Sequence, residues 1–131
     1  MRARSFALAA SFCFAALLTG VSYAQSQDDG SFYLRVCSAA VKQSDGGQLT
    51  QEEGLGAIYC ASYVGGFLDG MSLTLRASKG NKVVCIPERG ITNDQAARIL
   101  VKYLRENPET LHETGRVSLF VALAKAFPCS K

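Results

Sequence analysis

The residues that could perform catalysis are few and scattered. His112 is the only histidine in the chain, and no serine or cysteine stands in a nucleophile-elbow motif. The paired acids Glu52 and Glu53 begin a predicted helix, where the helix dipole favours carboxylates. Asp69 lies in a glycine-rich stretch, and an ion pair explains it better than a catalytic role. We therefore predict no catalytic residues and expect that the protein is not an enzyme.

The cysteines could supply metal or redox chemistry instead. The five cysteines are Cys13, Cys37, Cys60, Cys85 and Cys129. They form no C-x-x-C pair, and the single histidine is distant from all of them in sequence, so a zinc site is not favoured. The chain also has no phosphate-binding loop and no dinucleotide-binding fingerprint. We expect no bound metal and no cofactor.

The first 24 residues have the features of a secretory signal peptide. Arg2 and Arg4 precede an uncharged run over 5–20, and Ser22 and Ala24 supply small residues at positions −3 and −1 of a cut after Ala24. The apolar run is shorter than the ~20 residues that a spanning helix needs. Phe12 stands before Cys13 where a lipoprotein box requires a small residue. We predict cleavage after Ala24 and export to the periplasm.

Cleavage changes the charge and the cysteine count. Removing 24 of the 131 residues leaves 107, enough for the single helical domain that we predict over 25–131. The mature chain loses two of its 14 basic side chains, so 12 basic residues face 11 acidic ones and the net charge falls from +3 to +1. That balance gives no basis for binding nucleic acid or, after cleavage, a membrane. Four cysteines remain, which in a small exported protein predict two disulfides.

The first half of the mature chain predicts two helices. A polar tail over 25–30 precedes a helix that begins near Phe32 and ends at the turn over 44–47. Thr50 and Glu53 have the spacing of a capping box, which predicts a long helix over 51–77. Within it, an aromatic stripe and a row of small residues each repeat every four positions. The stripe is Tyr59, Tyr63 and Phe67, and the row is Ser62, Gly66 and Gly70.

Those two repeats predict close packing around the second helix. We expect the aromatic stripe to lie in the core, although a ligand groove is the alternative. Each glycine inside a helix costs about 1 kcal/mol relative to alanine, so glycines at this spacing indicate the close approach of another backbone. The sequence does not tell whether that backbone belongs to the same chain or to a second copy.

The second half predicts two more helices after a short extended segment over 83–87. Thr92 and Gln95 form a second capping box that opens a helix ending near Glu106. Asn107 and Pro108 then serve as N-cap and first residue of a fourth helix that runs to about Phe127. The predicted core of the third helix is Ala96, Ile99, Leu100, Tyr103 and Leu104. That of the fourth is Leu111, Ser118, Val121, Ala122 and Leu123.

Four helices in two hairpins favour one of the three disulfide connectivities. Cys37 and Cys60 lie at comparable distances on either side of the first interhelical turn, so antiparallel packing brings them together. Cys85 precedes the second hairpin and Cys129 ends it. We therefore favour Cys37–Cys60 and Cys85–Cys129 over the other two pairings. The predicted fold class is all-α, a small disulfide-bonded bundle of about four helices.

Several short motifs occur in an order that resembles one family. They are Cys60 with Tyr63-x-x-Gly66, Gly70, Cys85-Ile86-Pro87, Thr92-x-x-Gln95, Tyr103-Leu104, Asn107-Pro108, Ala122-Leu123 and Phe127-Pro128-Cys129. Together they cover about 34–129 and resemble the Rap/Tai family of small periplasmic immunity proteins of type VI secretion. The resemblance implies an all-helical, disulfide-bonded, often dimeric protein that binds a cognate secreted toxin, a peptidoglycan amidase, and blocks its active site.

The motifs that carry this resemblance are scaffold residues, so they do not identify the surface that contacts a toxin. An inhibitor that enters an enzyme cleft needs an exposed loop on a rigid frame. The first candidate is the polar loop Ser78, Lys79, Gly80, Asn81 and Lys82, and the turn over 44–48 is the second. For both, a plain solvated turn is the alternative.

Two other functional classes fit a small exported domain. A periplasmic acid-stress chaperone of the HdeA type is also helical and disulfide-bonded, but it should expose apolar surface at low pH, whereas the aromatic stripe and glycine row suggest a fixed core. A small hydrolase or ligand carrier would need a pocket lined by convergent polar groups.

Overall fold

The computed structural model describes residues 28–77 and 82–129, and it is all-helical within those ranges. The elements are α1 (Gly30–Ser44), α2 (Gln51–Ala77), α3 (Asn93–Glu106), a 3-10 turn (Pro108–Thr110) and α4 (Gly115–Ala126). Helix α1 packs against both α2 and α3, and α3 packs against α4. The predicted fold class is confirmed. The predicted signal peptide over 1–24 lies outside the described residues.

The two predicted capping boxes are present and set the starts of α2 and α3. The Thr50 N–H donates to the Glu53 carboxylate at 2.8 Å, and the Glu53 N–H donates to Thr50 Oγ1 at 3.2 Å. Thr92 and Gln95 make the same reciprocal pair at 2.9 and 3.1 Å. Both boxes satisfy N–H groups that a helix start leaves without partners, which explains why these boundaries follow from sequence.

A left-handed glycine separates α1 from α2. Gly46 has φ +79°, a conformation that residues with a side chain rarely adopt. It follows Asp45, whose N–H bonds back to the Val41 carbonyl at the end of α1. The turn reverses the chain, and Cys37 of α1 pairs with Cys60 of α2, both 0% exposed. The structure thus places the first disulfide where the hairpin argument put it.

The second disulfide joins the segment before α3 to the end of the chain. Cys85 pairs with Cys129, and the Cys85 N–H donates to the Phe127 carbonyl at 2.9 Å. The two disulfides close loops of 23 and 44 residues. The chain-entropy estimate for such loops is roughly 3 to 4 kcal/mol each, comparable to the whole stability of a small domain.

The start of the described chain is an ordered structure, which corrects the predicted tail over 28–30, while 25–27 lie outside the described residues. Asp29 caps α1 through a bond from the Phe32 N–H at 2.9 Å and pairs with Thr114 in an isolated antiparallel bridge. The Gly115 N–H donates to the Asp28 carbonyl at 2.8 Å. Helix α1 therefore begins two residues earlier than predicted, at Gly30.

The predicted start of the fourth helix at Asn107 is wrong. Only a 3-10 turn follows Pro108, and α4 begins at Gly115. The Leu111 and Glu113 carbonyls accept from the Ser31 and Gly30 N–H groups at 3.2 and 2.9 Å. In a continuous helix these carbonyls would bond to residues four positions ahead, so capping of α1 competes with helix formation at 111–114. The Asn107 side chain makes no N-cap bond and instead donates to the Tyr103 carbonyl.

The core is small and aliphatic, with one large aromatic ring. The fully buried leucines of α3 and α4 are Leu100, Leu104, Leu119 and Leu123. The large aromatic ring is that of Tyr33, which α1 contributes to the core. The predicted inner faces are correct for Ala96, Leu100, Leu104, Ser118, Ala122 and Leu123. Ile99, Tyr103, Leu111 and Val121 are only partly buried, while Ala97, Val101 and Leu119 take core positions that were not predicted.

A substitution at Gly115 tests the packing of α4 on α1. A Cβ atom at this position would overlap the Tyr33 ring, whereas nothing lies within 4 Å of a Cβ atom at Gly54. We expect Gly115→Ala to lower the free energy of unfolding by about 1–3 kcal/mol, as overpacking does. Gly54→Ala is the control and should leave stability unchanged or raise it by up to about 1 kcal/mol. Urea denaturation of the oxidised protein measures both, and equal stabilities would contradict the described contact.

The capping box of α2 should give stability a specific pH dependence. The bond from the Thr50 N–H and the bond from Lys42 hold the pKa of Glu53 below its ordinary value. A lowered folded-state pKa contributes stability above the ordinary pKa and loses it as the pH falls through the folded value. We expect Glu53→Gln to lower the Tm at pH 7 and the difference from wild type to vanish on acidification. Glu52→Gln is the control, and a Glu53→Gln deficit that persisted at pH 2 would argue against this origin.

Candidate partner-binding surfaces

The side chains that were considered for catalysis and set aside, His112, Glu52 and Glu53, do not converge. His112 lies in the turn before α4, with 77% of its side chain exposed, and its Nε2 is 3.4 Å from a Glu113 carboxylate oxygen. Glu53 is occupied by the capping box and by Lys42 at 2.9 Å. Glu52 approaches Arg35 at 3.4 Å on the surface. These pairs are exposed ion pairs of the kind that contribute little, and none joins a nucleophile to a base.

Among the described residues, Asp69 makes no ion pair of the kind that was predicted for it. It lies on the exposed side of α2, and no Lys or Arg among the described residues lies within 4.0 Å of its carboxylate. It belongs instead to the wall of a surface cavity and to the open side of α2 described below.

A tyrosine cluster that sequence reasoning missed links the start of the chain to α2. The Tyr33 hydroxyl donates to the Asp28 carboxylate at 2.9 Å, and its ring lies 4.4 Å from the Tyr63 ring, centroid to centroid. Burial raises the pKa of Tyr33, and hydrogen bonds with Tyr59 and Asp28 raise it further. Burial also raises the pKa of Tyr63. Both phenols therefore stay protonated at neutral pH, and the cluster has a structural role.

The aromatic stripe of α2 is only partly a core feature, which corrects the prediction. Tyr63 and Phe67 are partly buried against the core, but Tyr59 is 46% exposed. Tyr59 rests edge-on against Phe32 of α1, with ring centroids 5.1 Å apart. The stripe thus runs from the core edge to the surface, and its exposed end remains accessible.

The glycine row of α2 also differs from the prediction. An added Cβ at Gly56 would lie 3.3 Å from Val36, and one at Gly65 would lie 2.9 Å from Asn93. These two glycines therefore allow other segments of the chain to pack closely against α2. A Cβ atom added at Gly66 or Gly70, by contrast, would meet no atom of another described segment within 4 Å. The close approach of another backbone that these two glycines predicted is therefore not seen within the described residues.

Large apolar side chains surround that open row. Leu55 and Ile58 are each 65% exposed and Leu73 is 68% exposed, all on α2. We define the α2 open face as the exposed side of this helix. Its members are Leu55, Ile58, Tyr59, Ser62, Gly66, Asp69, Gly70 and Leu73. Isolated exposed apolar residues are normal, but several on one helix face mark an interaction surface. The signal in the sequence is that apolar residues fall on every side of the second helix.

A second feature is a cavity of about 620 Å³ between the end of α2 and the segment 82–91. Its wall combines apolar side chains, including Leu68 and Ile86, with two cationic residues, Arg76 and Lys82, and two acidic ones, Asp69 and Glu88.

Lys82 is the one residue of the predicted binding loop that the structure describes; Ser78, Lys79, Gly80 and Asn81 lie outside the described residues. The second candidate, the turn over 44–48, is exposed, and Asp45 there pairs with Arg98 at 2.7 Å.

Over residues 28–77 and 82–129, no group of three or more His, Cys, Asp or Glu side chains is placed to hold a metal ion. Within the same ranges, none of the helices combines the length and the apolar character needed to cross a bilayer.

Comparison with known proteins gives one match. A family model described as Rap1a immunity proteins matches residues 29–129, which is 101 of the 131 positions. No curated protein matches the chain, and no solved structure does either. The matched range begins at the cap of α1 and ends at the last cysteine, so it includes all four helices and both disulfides.

Proposed function

Because the chain belongs to the Rap1a immunity protein family, we propose that it binds and inhibits a secreted toxin and that this toxin is a peptidoglycan amidase. The family match over 29–129 is the observation that carries the proposal. The protein acts without catalysis, by occupying the toxin. The scattered positions of His112, Glu52 and Glu53 support a binding role.

The place of action in this proposal is the periplasm. The signal-peptide pattern over 1–24 supports export, and so do two disulfides in a chain this small, because such bonds persist outside the reducing cytoplasm. A periplasmic inhibitor also meets its target where a peptidoglycan amidase acts. Delivery of the toxin by type VI secretion is part of the same proposal.

The proposed toxin-contacting region is the loop over 78–82 together with the cavity whose wall includes Arg76 and Lys82. Lys82 and Arg76 supply positive charge at the cavity wall, and apolar side chains lie next to them. The Cys85–Cys129 disulfide lies directly after this loop and limits how far the segment 82–91 can move. A segment that is held in this way loses little entropy on binding, which favours tight inhibition.

Self-association is the remaining part of the proposal. The resemblance to the Rap/Tai family implies a homodimer, and the exposed apolar residues of α2 supply a surface that a second copy could cover. Toxin inhibition and self-association are separate properties, and each can be measured without the other.

Protection of cells tests the main proposal directly. A product encoded beside the gene of this protein, when directed to the periplasm, should lyse cells, and co-expression of the full chain with its leader should prevent lysis. The purified toxin should release stem peptides from isolated peptidoglycan, and the oxidised mature protein should block that release. A leaderless version is the matched control and should not protect. Lysis that is unchanged in the presence of the folded, exported protein would contradict inhibition.

Charge reversal tests the loop. We expect Lys79→Glu and Lys82→Glu, singly and together, to weaken toxin binding while the Tm stays within about 2 °C of wild type, since exposed charges contribute little to stability. Lys102→Glu is the control, because Lys102 is exposed on α3 and lies 3.9 Å from Glu106. Binding is measured by titration calorimetry. Unchanged affinity in the double variant would exclude the loop as the contact.

A further inference from the structure

The two disulfides differ in their access to solvent. Cys37 and Cys60 are both 0% exposed, and their bond joins α1 to α2 within the core. Cys85, by contrast, is exposed, and Cys129 is partly exposed. Thiol–disulfide exchange requires a thiolate to reach one of the two sulfur atoms, so burial protects a disulfide and exposure opens it to attack. Of the two bonds, Cys85–Cys129 is the accessible one in the folded protein.

The cavity beside Cys85 gives a reactant room to approach. Cys85 belongs to the wall of the cavity of about 620 Å³ between the end of α2 and the segment 82–91. Pockets of about 300–1,000 Å³ accommodate drug-sized molecules, so a small dithiol or the tip of a protein loop can enter. The wall has two cationic and two acidic side chains. An attacking thiolate is an anion, and a wall of balanced charge does not repel it.

Few contacts besides the disulfide hold the segment 82–91. Within the described residues, one backbone hydrogen bond joins it to another segment, from the Cys85 N–H to the Phe127 carbonyl at 2.9 Å. Its one buried side chain is Val84, which is 2% exposed. No side chain of 82–91 takes part in a hydrogen bond or an ion pair with another described residue. A segment with so few contacts can open locally while the helices stay packed.

We infer that Cys85–Cys129 is a site of thiol–disulfide exchange, which a dithiol reductant opens while Cys37–Cys60 stays closed. A thiolate of the reductant attacks Cys85 Sγ, the bond between the two sulfur atoms breaks, and Cys129 leaves as a thiolate that takes a proton from water. The second thiol of the reductant, once deprotonated, attacks the mixed disulfide and releases Cys85, which is protonated in turn. The protein gains two electrons and two protons, and the reductant becomes a disulfide.

Opening this bond regulates the proposed toxin-contacting region. The segment 82–91 forms one side of the cavity and follows the loop over 78–82, so its release loosens both. A loosened segment must be ordered again when a partner binds, and that ordering lowers the affinity. Reduction therefore weakens toxin inhibition, and reoxidation restores it. This consequence rests on the proposed function, whereas the exchange reaction itself requires no toxin.

Cysteine labelling during reduction tests the exchange site. The mature oxidised protein is incubated with dithiothreitol at neutral pH without denaturant and quenched with iodoacetamide at intervals, and mass spectrometry quantifies the modified peptides. Cys85 and Cys129 should be modified at least about 100-fold faster than Cys37 and Cys60, because only the exposed bond reacts in the folded state. Far-ultraviolet circular dichroism should show that the helices are retained.

Two results of the labelling would overturn the inference. Modification of all four cysteines at one rate would show that both disulfides open only when the whole domain unfolds. A Cys85–Cys129 bond that stays unmodified throughout would show that the reductant does not reach it.

A pair of serines tests the release of the segment. Cys85→Ser combined with Cys129→Ser represents the opened state, and partly reduced, alkylated wild type is measured beside it. Amide hydrogen exchange over 83–91 should be at least about tenfold faster than in the oxidised protein, while that of α1 and α2 should change less than about twofold. Gly115→Ala is the matched control for lowered stability, because its strain lies at the start of α4. A uniform increase over the whole domain would overturn local release.

Toxin inhibition by the same proteins separates this inference from the proposed function. With excess dithiol removed, the reduced protein should inhibit at least about tenfold more weakly, oxidised glutathione should restore inhibition, and Gly115→Ala should inhibit as wild type does. Selective reduction with unchanged inhibition would overturn the regulation of the toxin-contacting region. An oxidised protein that inhibits no toxin would contradict the proposed function, while the labelling and hydrogen exchange would still decide whether Cys85–Cys129 is an exchange site.

Discussion

The attachment of α2 to α1 along one side is the constraint on which the rest of the structure depends. Helix α2 is the longest helix, yet it contains five glycines, so its own propensity is poor. Val64 packs into the core, and the buried Cys37–Cys60 disulfide fixes the two helices together. With one side held by packing and a covalent bond, the opposite side needs no internal contacts. The scaffold therefore leaves a whole helix face available for partners.

A second constraint joins the start of the described chain to the beginning of α4. Backbone bonds from Gly30, Ser31 and Gly115 connect the 28–31 segment with residues 111–115, and the Tyr33 ring lies against Gly115. Tyr33 also donates to the Asp28 carboxylate, so the same residues satisfy helix caps, fill the core and hold the segment 28–31 in place. Because these backbone bonds occupy the carbonyls of Leu111 and Glu113, residues 111–114 form an irregular turn and α4 is shorter than predicted.

Local signals in the sequence were sufficient for most of the fold. The starts of α2 and α3 follow from capping boxes, and the disulfide pairing of the structure is the one that the two-hairpin arrangement favours. The start of α4 could not be predicted because distant N–H groups compete for the carbonyls of Leu111 and Glu113. The open state of Gly66 and Gly70 could not be predicted either, since the same spacing fits an internal contact and a surface. The proposed toxin loop has no local signal beyond its polarity.

Under the export that we propose, the bonds between the two ends of the domain also bear on how the chain folds. A secreted protein crosses the membrane with its N-terminus first, so residues 28–31 arrive long before residues 111–115 with which they pair. The α1–α2 hairpin and its disulfide use only neighbouring sequence and can form early. The contacts that cap α1 and complete its core require the last part of the chain. Pairing between residues so far apart in sequence is slow. In the proposed export, the contacts between 28–31 and 111–115 can therefore form only when translocation ends.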